Sequence, residues 1–351
     1  MWIKRQLVTA TQPRHSGALA AIAIVVLGAN GLLSAASAPA APPQIRALHW
    51  EERSDWVNVK TDLAPGAIGD GRADDTAAIQ KALAGVRDGS VIYFPPGSYR
   101  ITAPLLLKNS TGARWIGGLI VGSGRNTKLV WDGAGGGTML LLNGIAYSRF
   151  VGLDLGGRGR AGVGFHYQAT QGFQTEVTHR YLAFRGFTNA AVLENHPNEG
   201  QALAETTFEN CLFENCERGV AFLQFNDYDF TFDGCEFRRC GVGVDCDHGN
   251  FYIRNCHFEE SRVADNHNIV MSDFYVEQAD NGFLFEGAEG DPPGRITMQC
   301  PKLQMPPRPT GESVAFYIRD YSGQICIGPE QYYVEPSVMK LIHQGRRPLD
   351  V

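Results

Sequence analysis

The sequence has few charged residues and no long run of lysine or arginine. Charged residues make up 19% of the 351-residue chain, the formal net charge is −6, and 44% of the residues are hydrophobic. The lack of a basic segment argues against nucleic acid as a partner, and the apolar content excludes intrinsic disorder as the main state. Glycine (41 residues) and proline (18 residues) are too few for a collagen-like chain, but they indicate many tight turns.

A single stretch is apolar enough to interact with a membrane. It runs from residue 17 to 33, follows Lys4, Arg5 and Arg14, and precedes small residues that end at Ala38. This order is typical of a secretory signal peptide, so we predict cleavage after Ala38, a secreted or periplasmic location and no membrane partner afterwards. The alternative is a retained anchor, although 17 residues that include glycine and asparagine are short for about 30 Å of hydrocarbon.

The eight cysteines lack the C-x-x-C spacing of a zinc site. Six of them lie within residues 211–256, inside a repeat that reads Phe208-x-x-Cys211-x-Phe213-x-x-Cys216, Phe232-x-x-Cys235-x-Phe237-x-x-Cys240 and Ile253-x-x-Cys256-x-Phe258-x-x-Ser261. A buried cysteine behaves as a small apolar residue, so we interpret them as stacked free thiols. Disulfides between adjacent coils are the alternative, because strands about 4.8 Å apart bring Cα atoms within bridging distance.

The repeat extends beyond the cysteines as two apolar columns. The first contains Leu153, Leu182, Cys211, Cys235, Cys256 and Phe274, accompanied two residues later by Leu155, Phe184, Phe213, Phe237, Phe258 and Val276. The second follows each time in the segments 162–165, 190–193, 219–222, 241–244 and 282–285. Two short strand signals every 18 to 29 residues predict an all-β solenoid of parallel coils in which like residues stack. An antiparallel β-sandwich is the alternative.

A solenoid needs a cover at its open end. Residues 76–83 form a good helix-forming run with Ala78, Ile79, Ala82 and Leu83 on one face. Asp74, Asp75 or Thr76 can cap its free N–H groups. We therefore predict an N-terminal capping helix with Ile79 and Leu83 against the first coil.

The same region carries a family resemblance. The residues are Asn58-Val59-Lys60, Gly69-Asp70-Gly71-x-x-Asp74-Asp75-Thr76-x-Ala78-Ile79-Gln80-x-Ala82-Leu83 and Val91-x-Tyr93-Phe94-Pro95-Pro96-Gly97-x-Tyr99. This segment resembles the opening of the rhamnogalacturonase/epimerase-like pectate lyase domain, a branch of the pectate-lyase-like superfamily. The resemblance implies a single-stranded right-handed parallel β-helix and extracellular carbohydrate chemistry, with Asp74 and Asp75 as scaffold rather than a catalytic pair. The expected organisation is a signal peptide (1–38), a leader (39–55), the β-helix (56–335) and a C-terminal tail (336–351).

Candidate site residues come from the coil register. The position after each second strand holds His166, Glu194, Leu223, Asp245 and Glu286, which predicts a polar stripe. Aligning Phe232 with Ile253 stacks Asp227 on His248 and Asn226 on Asp247, which forms the densest ionisable cluster in the chain. We predict Asp227, Asp245, Asp247 and His248 as catalytic residues, and His166, Glu194, Arg238 and Arg254 as substrate-binding residues.

Three interpretations of this cluster stay open. Hydrolysis needs a protonated and an ionised carboxyl group and no cofactor, but the polygalacturonase motifs Asn-Thr-Asp, Gly-Asp-Asp, Arg-Ile-Lys and Gly-His-Gly are missing. A lyase needs a base and a cation that neutralises a uronate, and clustered acids could hold Ca²⁺ for that purpose. A solvated, turn-rich edge is the third interpretation.

The functional prediction is an exported protein that acts on a pectin-like or other uronate-containing polysaccharide by lyase or hydrolase chemistry. A non-catalytic, polysaccharide-binding or structural β-helix is the alternative. The oligomeric state stays open.

Overall fold

The polypeptide winds into a right-handed parallel β-solenoid whose coils each contribute strands to three sheets. This computed structural model describes residues 45–109, 116–170, 174–194, 203–223, 227–246, 249–259, 261–265, 268–272, 275–277, 281–286, 294–299, 302–304, 314–319, 323–327, 331–332, 341–344 and 349–350. The predicted signal peptide lies outside the described residues. The predicted fold class is confirmed.

Sheet 1 has 13 strands among the described residues. Its strands are Val57–Asn58, Ser90–Phe94, Gly118–Gly122, Arg149–Val151, Val177–Arg180, Leu203–Ala204, Thr206–Glu209, Asp227–Asp233, Gly249–Arg254, Asn268–Ser272, Gly294–Gln299, Gly323–Ile327 and Leu349–Asp350.

Sheet 2 has 11 strands within the same part of the chain. They are Asp70–Asp74, Gly97–Ile101, Thr127–Trp131, Asp154–Gly156, Ala183–Arg185, Leu212–Glu214, Glu236–Arg238, His257–Glu259, Tyr275–Glu277, Lys302–Gln304 and Gln331–Tyr332. The five strands from Asp154–Gly156 to His257–Glu259 have three residues each, and the middle side chain is buried in every one of them.

Sheet 3 has 10 described strands. They are Leu105–Lys108, Thr138–Asn143, Val163–Gln168, Asn189–Glu194, Arg218–Phe222, Val242–Cys246, Arg262–Asp265, Asn281–Glu286, Val314–Arg319 and Leu341–Gln344. All the strand pairs of the three sheets are parallel, as in a solenoid that always turns the same way.

The first apolar column has the predicted register. Leu155, Phe184, Phe213, Phe237 and Phe258 occupy the same level on successive coils and are all fully buried. The four phenylalanine rings stack face to face, with centroids 4.7 Å apart both between Phe213 and Phe237 and between Phe237 and Phe258. Leu153, Leu182, Cys211, Cys235 and Cys256 form the companion column and are buried too; Phe274 lies outside the described residues.

Five buried cysteines line the corners on either side of sheet 2 as free thiols, namely Cys211, Cys216, Cys235, Cys240 and Cys256. Each thiol donates to a backbone carbonyl at its corner: Cys240 Sγ lies 3.7 Å from Arg238 O and 3.6 Å from Phe213 O. Ser261 takes the corresponding position on the next coil, where its hydroxyl donates to Glu259 O at 3.0 Å. The thiols therefore add a further donor to corner carbonyls such as Arg238 O, which also accepts from Asn215 N at 3.0 Å.

The N-terminal end of the solenoid is covered by the helix α1 (Thr76–Ala84). It takes the place of a sheet 3 strand on the first coil, and the Gln80 side chain bonds both Leu106 N (2.7 Å) and Leu106 O (3.0 Å) as a neighbouring strand would. Ile79 and Leu83 are buried in the core, as the sequence predicted. Asp75 is buried as well, and its carboxylate accepts from the backbone N–H groups of Ile68, Gly69 and Arg100.

Candidate functional site

The predicted catalytic cluster falls at the corner where the chain passes from sheet 3 to sheet 1. Asp245 is the penultimate residue of one sheet 3 strand, and Asp227 opens a sheet 1 strand on the preceding coil. Asp227 pairs with Gly249, so the predicted stacking on His248 is wrong by one residue. A β-bulge between Asp227 and Phe230 inserts the extra residue, with Asp229 at φ 57°.

The backbone therefore brings the coils of Asp227 and Asp245 to one corner. Asp247, His248 and Asn226 lie outside the described residues, as does the side chain of Asp227. The Asp245 carboxylate forms an ion pair with Arg218 Nε at 2.8 Å. Any substrate at this corner would compete with that arginine for the carboxylate.

The predicted polar stripe on sheet 3 is wrong. His166 is level with Val192, Val192 with Ala221 and Ala221 with Asp245, so two apolar residues separate His166 from Asp245. Glu194 is level with Gln168 instead. The prediction fails because each sheet 3 strand has two inward-facing positions, and the sequence alignment matched the first position of one strand with the second position of the next.

The pairing of Phe165 with Ala191 and Val220 shows this directly. Tyr167, Leu193 and Phe222 fill the second inward column. Aligning Phe165 with Leu193 and Phe222 by their size shifts the register by two residues. Leu223 is exposed at the next corner, and the side chains of Glu194 and Glu286 are not among those described.

Arg238 belongs to a ladder of alternating charges on the outer face of sheet 2. Arg185, Glu214, Arg238 and Glu259 are level on successive coils, and Arg238 forms ion pairs with Glu236 at 3.0 Å and with Glu259. Burial by itself would lower the pKa of Arg238, but the surrounding carboxylates outweigh it and raise this pKa. Arg238 therefore stays a cation at the surface of the sheet.

Arg254 lies on sheet 1 and pairs with Asp233 at 3.0 Å. It ends the strand that Gly249 begins, so it stands about 16 Å along the strand from the Asp227 corner. Among the described residues of the predicted set, Arg238 ends a sheet 2 strand and Arg254 ends a sheet 1 strand, whereas Asp245 lies near the corner between sheets 3 and 1.

A cavity of about 450 Å³ occupies the corner between sheets 1 and 2. It is lined by Ile45, Arg46, Tyr181, Asn210, Cys211, Leu212, Gly234, Glu236 and Arg238. This corner cavity brings together an aromatic ring, two guanidinium groups, an amide and a carboxylate. Its volume lies in the usual range of ligand sites, about 300–1,000 Å³.

The floor of the corner cavity is made by single-residue bends. Tyr181, Asn210 and Gly234 each follow a sheet 1 strand and adopt a left-handed conformation, with φ of 55°, 52° and 63°. Their N–H groups continue the ladder between coils, for example Tyr181 N to Glu209 O at 3.1 Å. Because the bend is the same on each coil, the side chains at this position form a row along the solenoid axis.

One wall of the corner cavity is made by residues 45–50, which are part of the leader. Trp50 Nε1 donates to Gly122 O at 2.8 Å, Leu48 N donates to Ser123 O at 3.1 Å, and Arg46 places its guanidinium 5.1 Å from the centre of the Tyr181 ring. A Cβ at Gly124 would lie 2.0 Å from Arg46 O, so glycine is needed for the leader to lie this close. Residues 45–50 therefore cross successive coils along the axis, and Ile45 and Arg46 line the corner cavity.

Arg238, one of the predicted substrate-binding residues, lines the corner cavity, but the sequence pattern did not predict the cavity itself. The position that could have revealed the cavity is the one directly after each sheet 1 strand, which is occupied by Tyr181, Asn210 and Gly234 on successive coils. The contribution of Arg46 had no such signal, because it comes from a segment far away along the chain.

Neither a metal centre nor a membrane span is found in the part of the chain that the structure describes. Among those residues, no three histidine, cysteine, aspartate or glutamate side chains are arranged to hold a metal ion. In that same part, no helix is both long and apolar enough to cross a membrane. The predicted Ca²⁺ involves Asp247 and so depends on residues beyond the described ranges.

The comparisons with known proteins agree with this fold. Residues 56–135 match the family model described as rhamnogalacturonase A/epimerase, pectate lyase-like. That is the family that the opening motif resembles. No curated protein is significantly similar to the chain in sequence.

Three solved structures share the fold with TM-scores above 0.5. They are the enzymatically active domain of bacteriophage CBA120 tailspike protein 4 (TM-score 0.59, 14% identity, covering 82% of this chain and 41% of that one), the Agl-KA catalytic domain (0.51, 12%, 87% and 70%) and the tailspike protein of Acinetobacter baumannii phage AM24 (0.51, 13%, 83% and 57%). The chain thus spans about half the length of the two tailspike chains. At these identities the likeness concerns the fold alone.

Proposed function

We propose that the chain is an exported, carbohydrate-active β-helix protein that acts on an extracellular polysaccharide containing uronate. The observation that carries this proposal is the corner cavity, because its groups suit a sugar acid. Arg46 and Arg238 offer guanidinium donors to a carboxylate, Asn210 offers an amide to hydroxyl groups, and Tyr181 offers an apolar ring face.

The direction of the corner cavity fits an elongated ligand. The leader lies along the solenoid axis from Gly122 to Tyr181, and the lining residues Gly234, Glu236 and Arg238 belong to the next coils in the same direction. A polymer that continued this line would cross several coils and contact the same turn position on each. The match of residues 56–135 to a pectate lyase-like family supports a carbohydrate role.

The reaction is proposed as cleavage by a lyase or by a hydrolase, with Ca²⁺ needed in the first case and no cofactor in the second. The catalytic roles of Asp227, Asp245, Asp247 and His248 belong to this proposal. The experiment is a screen of the secreted chain against polygalacturonate, rhamnogalacturonan and a neutral glucan. Ultraviolet absorbance of unsaturated ends together with reducing ends identifies a lyase, and reducing ends alone identify a hydrolase.

Binding without turnover is the second candidate. It is favoured by the carboxylates near the corner cavity, because Glu236, Glu259 and Glu214 are all held by arginines. If the chain binds without turnover, the screen should detect binding of a polysaccharide but neither unsaturated ends nor new reducing ends.

A matched pair of variants tests the role of the corner cavity in either case. Arg238→Gln removes a lining guanidinium, whereas Arg180→Gln removes an arginine that pairs with Glu209 on sheet 1 outside the lining. We expect Arg238→Gln to weaken polysaccharide binding about tenfold, which corresponds to one charge-assisted hydrogen bond, and Arg180→Gln to change it little. Equal binding by Arg238→Gln and the parent, or binding of none of the polymers, would contradict the proposal.

A further inference from the structure

A second polar site lies at another corner, where the chain passes from sheet 2 to sheet 3 near the N-terminal end. Here Arg100, Arg158 and Arg160 surround the carboxylate of Asp132; we call these four residues the arginine cluster. Arg100 and Asp132 come from the ends of adjacent sheet 2 strands, and Arg158 and Arg160 follow the next strand, Asp154–Gly156. Three successive coils thus contribute to it.

The arginine cluster holds more positive charge than its single carboxylate neutralises. Arg100 Nε donates to Asp132 at 2.7 Å, which is the main reason that the pKa of Asp132 is lowered. Arg158 and Arg160 lie farther away, with nitrogen to oxygen distances of 3.5 and 3.6 Å. These two distances exceed the roughly 2.7–2.9 Å of a good charge-assisted hydrogen bond.

The guanidinium groups of Arg158 and Arg160 therefore still have N–H donors that can bind another anion. Their side chains are 55% and 54% exposed. The carboxylate of Asp74 also attracts the charge of Arg100, but it already accepts hydrogen bonds from Thr76 and Thr102. The local excess of cations stands out in a chain whose net charge is −6.

The surface beside these arginines is bare backbone. At Gly135, an added Cβ would meet no atom within 4 Å, and its φ is not in the left-handed region. Neither crowding nor conformation therefore requires glycine there. A glycine in such a position lets a ligand approach the backbone closely.

The loops that carry this surface are held in place. The first loop, residues 132–137, follows the strand Thr127–Trp131, and the second, residues 157–162, follows the strand Asp154–Gly156. The Trp131 ring lies under the first loop and donates from Nε1 to Ala134 O at 3.0 Å. The second loop is joined to the first by a hydrogen bond from Gly136 N to Arg160 O at 2.8 Å. Arg160 also donates to Gly133 O at 3.2 Å, so the cluster is preorganised for a ligand.

We infer that the arginine cluster binds the oxyanion groups, carboxylate or sulfate, of an acidic polysaccharide. Arg158 and Arg160 each present a planar fork that matches such a group in a bidentate manner. The site lies away from the corner cavity, on the other side of sheet 2, and thus gives the polymer a second anchor. The polymer itself rests on the proposed function, whereas the anion recognition rests on the cluster alone.

The test uses the secreted full chain with polygalacturonate, dextran sulfate and neutral dextran as probes, with affinities measured by titration calorimetry. In Arg158→Gln/Arg160→Gln we expect binding of at least one acidic polymer to fall about tenfold or more. The control Arg53→Gln/Arg180→Gln has the same loss of charge at exposed ion pairs elsewhere, and we expect it to bind as the parent does. Which acidic polymer responds distinguishes a carboxylate from a sulfate site.

A second variant keeps the test independent of the arginines. Gly135→Glu places a carboxylate beside the cluster in open space, so we expect an unchanged melting temperature and weaker binding, with Gly135→Ala as its control. The inference is overturned if the double arginine variant binds both acidic polymers as tightly as the parent, if the control loses as much affinity, or if neither acidic polymer binds the parent. Arg238→Gln in the same assay separates the two proposals, because Arg238 lines the corner cavity and has no contact with the arginine cluster among the described ion pairs.

Discussion

Tyr167 and His179 meet inside the solenoid, where the tyrosine hydroxyl donates to Nε2 of the imidazole. The Nδ1–H group of His179 donates to Thr207 O at 3.1 Å, so the histidine is neutral and both nitrogens are used. Its ring stacks between Phe150 and Phe208, with centroids 5.5 and 4.3 Å away. A histidine thus replaces phenylalanine in an aromatic column of sheet 1.

This buried histidine predicts loss of stability in acid. Burial lowers the pKa of His179 to about 3, whereas the unfolded chain takes up the proton near pH 6.5. Between these values the unfolded state binds more protons, so the free energy of unfolding should fall as the pH falls, by up to about 1.4 kcal/mol per pH unit. Denaturant titrations between pH 7 and pH 4 measure this slope.

The control is His179→Phe/Tyr167→Phe, which keeps the aromatic stack and removes both polar groups together. In this variant the pH dependence of the free energy of unfolding should lose the contribution of the one proton that His179 takes up on unfolding. An identical slope in parent and double variant would show that His179 does not carry the effect.

The aromatic column of sheet 2 predicts a large cost of truncation. Phe237 is fully buried and stacked on both sides, so Phe237→Ala should leave a cavity and lower the free energy of unfolding by about 3–5 kcal/mol. Leu223→Ala, at an exposed corner, should cost about 0.5 kcal/mol or less. Similar costs for the two variants, measured by denaturant unfolding, would contradict the register.

The repeat in the sequence was enough to predict this column, because Phe and Cys recur with the same spacing within the repeat on adjacent coils. It was not enough for sheet 3, where Phe165 could be matched with either Ala191 or Leu193. The bulge at Asp229 left no mark in the pattern, and it moved Asp227 off His248. The corner cavity escaped prediction because Arg46 reaches it through the leader, whose path depends on close backbone contacts at Gly124.

The thiols at the corners predict tolerance of serine. Because Ser261 makes the same carbonyl contact as Cys240, Cys240→Ser should retain the melting temperature more nearly than Cys240→Val, which removes the side-chain donor to the corner carbonyls. Reducing agent should leave the melting temperature of the parent unchanged. A large drop on reduction would indicate that disulfides, rather than free thiols, join the coils.

Asp245→Asn tests the predicted catalytic corner with little change in volume. The exchange weakens the ion pair with Arg218 at the surface, so its effect on stability should stay within about 1 kcal/mol. If Asp245 acts in cleavage, turnover of a polysaccharide that the parent cleaves should fall sharply while binding persists. Full turnover by the variant would remove Asp245 from the mechanism.

The central claim is that the corner cavity receives a sugar of an acidic polysaccharide. A crystal structure of the chain with a bound oligogalacturonate tests it most directly. The account predicts a sugar ring in the corner cavity against Tyr181, with a carboxylate facing Arg238 or Arg46 and the oligosaccharide following the solenoid axis. An oligosaccharide bound elsewhere, with the corner cavity empty at saturating ligand, would contradict it.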